Sequence, residues 1–67
     1  MPKVRDVIRM LEEDGWELDR VRGSHRIFKH PDRQYRVVVA GKPNHDLSPG
    51  TWNNIQRQAG WREGPPG

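Results

Sequence analysis

Apolar residues recur along this chain with two different periods. Val4, Val7, Ile8 and Leu11 fall at i, i+3, i+4 and i+7, one stripe of a helix. The spacing predicts an amphipathic helix over residues 3–14. Pro2 sits near a first turn that needs no N–H at that point, and Gly15 is placed to be the left-handed residue beyond the helix end. The period then falls to two. Trp16 and Leu18 alternate with Glu17 and Asp19, the pattern of a half-buried strand, here over 16–22. Gly23-Ser24 signals a turn, and residues 25–30 read as the second strand of a hairpin. Pro31-Asp32-Arg33-Gln34 makes the next turn. Tyr35 to Ala40, rich in β-branched residues, is the clearest strand. After a loop from Gly41 to Asp46 the helical period returns in Trp52, Ile55 and Ala59. Ser48 is the candidate N-cap and Pro49 fits the first helical position. Leu47 can staple onto Trp52. Gly60 fits the position after the helix, from which Trp61 can fold back on Ile55.

The order α-β-β-β-α predicts an α+β fold: a two-layer sandwich in which a three-stranded antiparallel sheet carries both helices on one face. Nothing remains to cover the other face. Residues 1–62 are read as a single domain and 63–67 (Glu-Gly-Pro-Pro-Gly) as a disordered tail. Side chains alternate along a strand. Phe28 is assigned to the helix side, which puts His25, Ile27 and Lys29 on the open side. Arg26 and His30 share the parity of Phe28 but sit at strand ends, where they reach the rim. Trp16 and Trp52 are read as core.

Composition bounds the possibilities. Sixty-seven residues with 31% apolar content and a mean hydropathy of −1.09 make a small, modestly stable domain. There is no cysteine, hence no disulfide framework and no thiolate metal site. The longest apolar run, Val37 to Ala40, is too short to span a bilayer. No signal-peptide pattern opens the chain, so a cytoplasmic protein without membrane contact is expected. Charge is unevenly spread. Residues 1–19 carry −3, residues 20–42 carry +6 and residues 43–67 balance to zero. A concentrated positive segment fits a polyanion such as nucleic acid, or an acidic protein. It also fits a solvated sheet whose edges are guarded by cations.

The basic segment contains Gly23-Ser24-His25-Arg26-Ile27-Phe28-Lys29-His30-Pro31. Imidazole is the side chain that exchanges protons near neutral pH. Set among cations, it suits phosphodiester chemistry, where a proton moves and negative charge builds up. His25 is the candidate acid or base, with Lys29 and Arg26 to stabilise charge. His30 and His45 are candidates for a second proton-transfer group; His30, before Pro31, is read as capping its strand, and His45 lies in a loop that leaves it free to move. No HxxxH or cysteine spacing marks a metal site, and no Gly-rich phosphate loop or nucleophile elbow is present. No cofactor or metal is therefore expected.

These residues resemble the signature of the HicA toxins, mRNA interferases of bacterial and archaeal toxin–antitoxin pairs. Two further stretches are similar to the family pattern: Leu11-Glu12-Glu13-Asp14-Gly15-Trp16, and Asp46-Leu47-Ser48-Pro49-Gly50-Thr51-Trp52 followed by Ile55 and Ala59-Gly60. The likeness runs over roughly residues 3–61. Ser48-Pro49 replaces the more usual Pro with a variable residue after it, and Trp52 stands where a smaller aliphatic is frequent. The resemblance implies a fold like that of a double-stranded-RNA-binding domain, cleavage of mRNA centred on His25, and neutralisation by a HicB-type antitoxin covering the site. The implied RNA contacts are Ser24, Arg22, Arg26, Lys29 and Arg36. The rival readings are a non-catalytic RNA-binding module and an interaction domain whose basic face meets an acidic partner.

Overall fold

The computed structural model describes residues 2–61. Its elements run α1 (Val4–Glu13), β1 (Glu17–Arg22), β2 (His25–His30), β3 (Arg33–Ala40) and α2 (Pro49–Ala59). The strands form one antiparallel sheet in the order β1-β2-β3, which is the predicted α+β arrangement. The tail expected over 63–67 lies outside the described residues. Among the described residues, no helix is long and apolar enough to cross a membrane.

Both helices end in the same device. After α1, Gly15 takes φ +94°. Its N–H donates to the Glu12 carbonyl at 3.1 Å, and the Trp16 N–H donates to Leu11 at 2.9 Å. After α2, Gly60 takes φ +80°, its N–H donates to Arg57 at 3.2 Å, and the Trp61 N–H donates to Gln56 at 2.8 Å. This is the Schellman pattern, which satisfies the last helical carbonyls and turns the following residue back onto the helix. In each case that residue is a buried Trp.

The two indoles meet at one acceptor. Trp16 Nε1 and Trp61 Nε1 donate to Asp14 Oδ2 at 3.1 and 2.9 Å. Arg33 Nη1 approaches the same oxygen at 3.4 Å, and its guanidinium lies 5.7 Å from the Trp16 ring centroid. A buried indole N–H without an acceptor costs roughly 1–3 kcal/mol. One carboxylate at the end of α1 thus joins both helix ends to the start of β3. Trp52, expected in the core, is only half-buried. It packs edge-on to Trp61, ring centroids 6.3 Å apart, and Trp61 takes the interior place.

Phe28 faces the helices, as its parity predicts, with Val37 and Val39 of β3 beside it. Leu18 stands directly across from Phe28 and shares its face, yet Leu18 is 50% exposed and Phe28 only 1%. The helices pack closest to β3, so the edge strand β1 projects beyond them. The half-burial expected of this strand therefore holds for Trp16 and fails for Leu18 and Val21.

Two irregularities flank β2. The β1–β2 register shifts between Leu18 and Arg20, leaving Asp19 as the extra residue. The β2–β3 register shifts between Phe28 and His30, which pair with Val37 and Arg33, so residues 34–36 of β3 lie opposite Lys29 alone. β3 consequently begins at Arg33, inside the predicted turn. A side chain helps to close that turn: the Asp32 N–H donates to His30 Nδ1 at 3.0 Å. Ser48 caps α2 as expected, accepting from the Thr51 N–H at 3.3 Å.

Candidate functional site

The uncovered sheet face carries the polar chemistry. In β2 it presents His25, Ile27 and Lys29. Arg22, Arg20 and Glu17 stand opposite them on β1, and Ala40 and Val38 stand opposite His25 and Ile27 on β3. The face has an apolar centre, with Ile27 half-buried and Val38 39% exposed, and a charged surround in which His25 and Lys29 are exposed. This is the orientation inferred from the size of Phe28.

His25 begins β2 directly after a two-residue loop. Arg22 and His25 pair across the hairpin, and Gly23 takes φ +57° while Ser24 stays out of the left-handed region. A positive φ at the first loop position alone is what a type II′ turn requires, and Gly meets it without strain. The Gly41 N–H donates to the Ser24 carbonyl at 3.1 Å, which ties the hairpin tip to the end of β3. His25 is thus held by backbone on both sides. Among the described residues its ring makes no hydrogen bond.

The cations of the basic segment do not gather around His25; they separate. Arg26 faces the helix side, where its Nη1 donates to the Gly41 carbonyl at 3.0 Å. Arg33 is engaged by Asp14. The open side keeps Arg20, Arg22, Lys29 and Arg36, against the carboxylates of Glu17 and Asp19. Asp19 Oδ2 lies 3.4 Å from Arg36 Nε and 3.7 Å from Arg20 Nε, so it links the two edge strands across β2. Lys29 shares the face of His25 but not its neighbourhood. At about 3.3 Å of rise per residue, their Cα atoms are roughly 13 Å apart. The cation directly across from His25 on this face is Arg22, at the roughly 5 Å Cβ separation usual for such pairs.

Of the other histidines, His30 is held by its ring and His45 by its backbone. His30 Nδ1 accepts from the Asp32 N–H, so its Nε2 donates to the Asp14 carbonyl, 2.9 Å away. Its ring packs edge-on to Trp16, centroids 5.1 Å apart. Both ring nitrogens serve the fold. A Cβ at residue 15 would lie 3.0 Å from His30 Nε2, so Gly15 is needed for its left-handed φ and for this close approach. His45 was expected to move freely, but its backbone is fixed. Its carbonyl accepts from the Val4 N–H at 2.9 Å and its N–H donates to Lys42 at 3.0 Å. Loop 41–47 supplies acceptors that the first turn of α1 lacks, and that requirement anchors His45.

A family model described as the HicA toxin of bacterial toxin–antitoxin systems matches residues 4–61. The chain belongs to the HicA toxin family. The match begins with α1 and ends on Trp61, so it takes in the whole sheet, both helices and all three histidines. The toxin's partner is accordingly an antitoxin, and the family points to nuclease-type chemistry. No curated protein gives a significant match to the chain.

Proposed function

We propose that this toxin is a metal-independent endoribonuclease that cleaves mRNA in the cytoplasm, with His25 as its proton-transfer group. The observation that carries this reading is the contrast between His25 and His30, whose two ring nitrogens are both engaged. His25, unlike His45 in its loop, stands at a hairpin tip on an open, cationic sheet face, and among the described residues its ring nitrogens make no hydrogen bond. An RNA phosphodiester breaks when an oxygen nucleophile loses its proton and attacks phosphorus, and the leaving oxygen is protonated. The His25 imidazole is placed to take the first proton or to give the second. Arg22, opposite it in the register, stabilises the charge that builds on the phosphoryl oxygens. The Ser24 hydroxyl, exposed beside it, adds a hydrogen-bond donor. Lys29 and Arg36 contact the strand further along the sheet. Arg26, on the far side, contributes through the hairpin's connection to Gly41.

A HicB-type antitoxin neutralises the toxin by covering this same face. An apolar centre of Ile27 and Val38 rimmed by arginines suits an acidic protein as well as it suits RNA, so the two compete.

The test is purified protein with a long RNA in EDTA, wild type beside His25→Ala. Cleavage by the wild type alone is expected. Intact RNA with both proteins would sink the enzyme reading, and retained binding in that case would establish a non-catalytic RNA-binding module. Equal cleavage by both would remove His25 from the centre of the reaction.

A further inference from the structure

The end of the open face remote from His25 contains a cavity of about 300 Å³ lined by Glu17, Lys29, His30, Pro31 and Arg36. Three features mark it as more than a surface dip. Both strand irregularities fall here: the extra residue of β1 presents Asp19, and the surplus residues of β3 opposite Lys29 include Arg36. Bulges of this kind re-aim side chains and are concentrated near functional sites. Second, Arg36 is oriented through its Nε by Asp19 at 3.4 Å, while among the described residues its terminal nitrogens have no hydrogen-bond partner. A guanidinium held in this way presents its planar fork to an anion or a base edge. Third, Glu17 stands directly across from Lys29 in the register, yet no ion pair joins them among the described residues. A carboxylate only accepts hydrogen bonds, and on a face built for phosphate it is out of place unless it meets a donor.

We infer that this cavity is a base-reading subsite for one RNA nucleotide a few positions along the strand from the cleaved bond, an inference that rests on the RNA-cleavage reading above. Lys29 and the Arg36 fork take the phosphate. His30 and Pro31 form the wall against the base. Glu17 accepts from the exocyclic amino group of cytosine, adenine or guanine, as carboxylates do toward base amines. Uracil has no such group and leaves the Glu17 carboxylate facing a carbonyl oxygen. The volume is at the small end of ligand pockets, suited to a single nucleotide. The subsite lies roughly 13 Å from His25 along β2. That is about two to four nucleotides, depending on how far the strand is stretched from a stacked spacing of about 3.4 Å.

Binding tests this separately from catalysis. The full chain carrying His25→Ala, which leaves RNA intact, is titrated with oligo(C), oligo(A) and oligo(U) of equal length. Oligo(C) and oligo(A) are expected to bind roughly tenfold more tightly than oligo(U). Adding Glu17→Gln should reduce that ratio to near one, because an amide both donates and accepts. Adding Lys29→Ala instead should weaken all three alike and flatten the dependence of log affinity on log salt by about 0.7. Equal affinity of the His25→Ala protein for the three RNAs overturns the subsite, as does a preference that survives Glu17→Gln. Absence of RNA cleavage by the wild type would overturn the reaction instead, and the binding ratios would still decide the subsite.

Discussion

The two ends of β2 carry the same side chain in opposite circumstances. At its C-terminal end His30 is caught between the Asp32 N–H and the Asp14 carbonyl, with Trp16 against its ring. At its N-terminal end His25 has a backbone fixed by the hairpin and a ring unengaged among the described residues, with Arg22 facing it. A histidine whose two nitrogens are used by the fold has no proton-transfer atom left for a substrate. One whose position is set by main chain alone keeps both. The comparison locates function through what the fold leaves unused, and each end can be broken separately.

The largest effect is expected at the open end. His25→Ala should lower RNA cleavage by about 100-fold or more, the usual worth of a positioned acid–base group, and should abolish growth arrest when the toxin is expressed alone. Stability should change by less than about 0.5 kcal/mol, as for an exposed site with no fold contacts. Thermal unfolding checks this second half. A large fall in melting temperature would mean that His25, like His30, belongs to the structure.

The held end should respond in the opposite sense. Asp14→Ala removes the acceptor shared by two buried indoles and Arg33. A loss of about 2–4 kcal/mol is expected from the stranded donors, measured by denaturant unfolding. Cleavage per folded molecule, assayed below the unfolding transition, should stay within about threefold of wild type. A smaller step follows at the same end. Gly15→Ala should cost about 1–3 kcal/mol, because it puts a side chain at a strongly positive φ and a Cβ 3.0 Å from His30 Nε2. Its signature is a loss of amide protection at Asp32, whose N–H is held by His30. Unchanged protection there would separate the Gly15 strain from the histidine.

What the sequence exposes of this arrangement follows from the range of each interaction. Helix ends are local, and the two Gly-Trp pairs mark both Schellman turns. The alternation along β2 correctly placed Phe28 inside and His25 outside. The Asp14 carboxylate was not legible as a junction. Its donors come from residues 16, 33 and 61, which lie together only once both helices are packed. Charge was legible as a total and illegible as a distribution. The +6 segment divides between the two sides of the sheet, and Arg26 and Arg33 go to the covered one. Sharing a face does not bring His25 and Lys29 together. In a strand, side chains four residues apart are about 13 Å from each other, whereas in a helix the same spacing makes neighbours.

Leu18 gives the sharpest test of how far the covered layer extends. Its alternation with Glu17 and Asp19 predicts burial, and its parity is right, since it stands opposite Phe28 on the helix side. Parity fixes which way a side chain points, but not whether anything lies above it. β1 is an edge strand and the helices lie over β3, so water reaches half of Leu18. Truncation should therefore forfeit only part of a leucine's transfer free energy and leave no cavity. Leu18→Ala is expected to cost about 0.5–1 kcal/mol in chemical denaturation, far below the several kcal/mol of a fully buried large side chain, with RNA cleavage unchanged. A cost above about 2 kcal/mol would show that the helix layer closes over β1 in solution. The two faces of the sheet would then differ by more than the exposed edge strand allows.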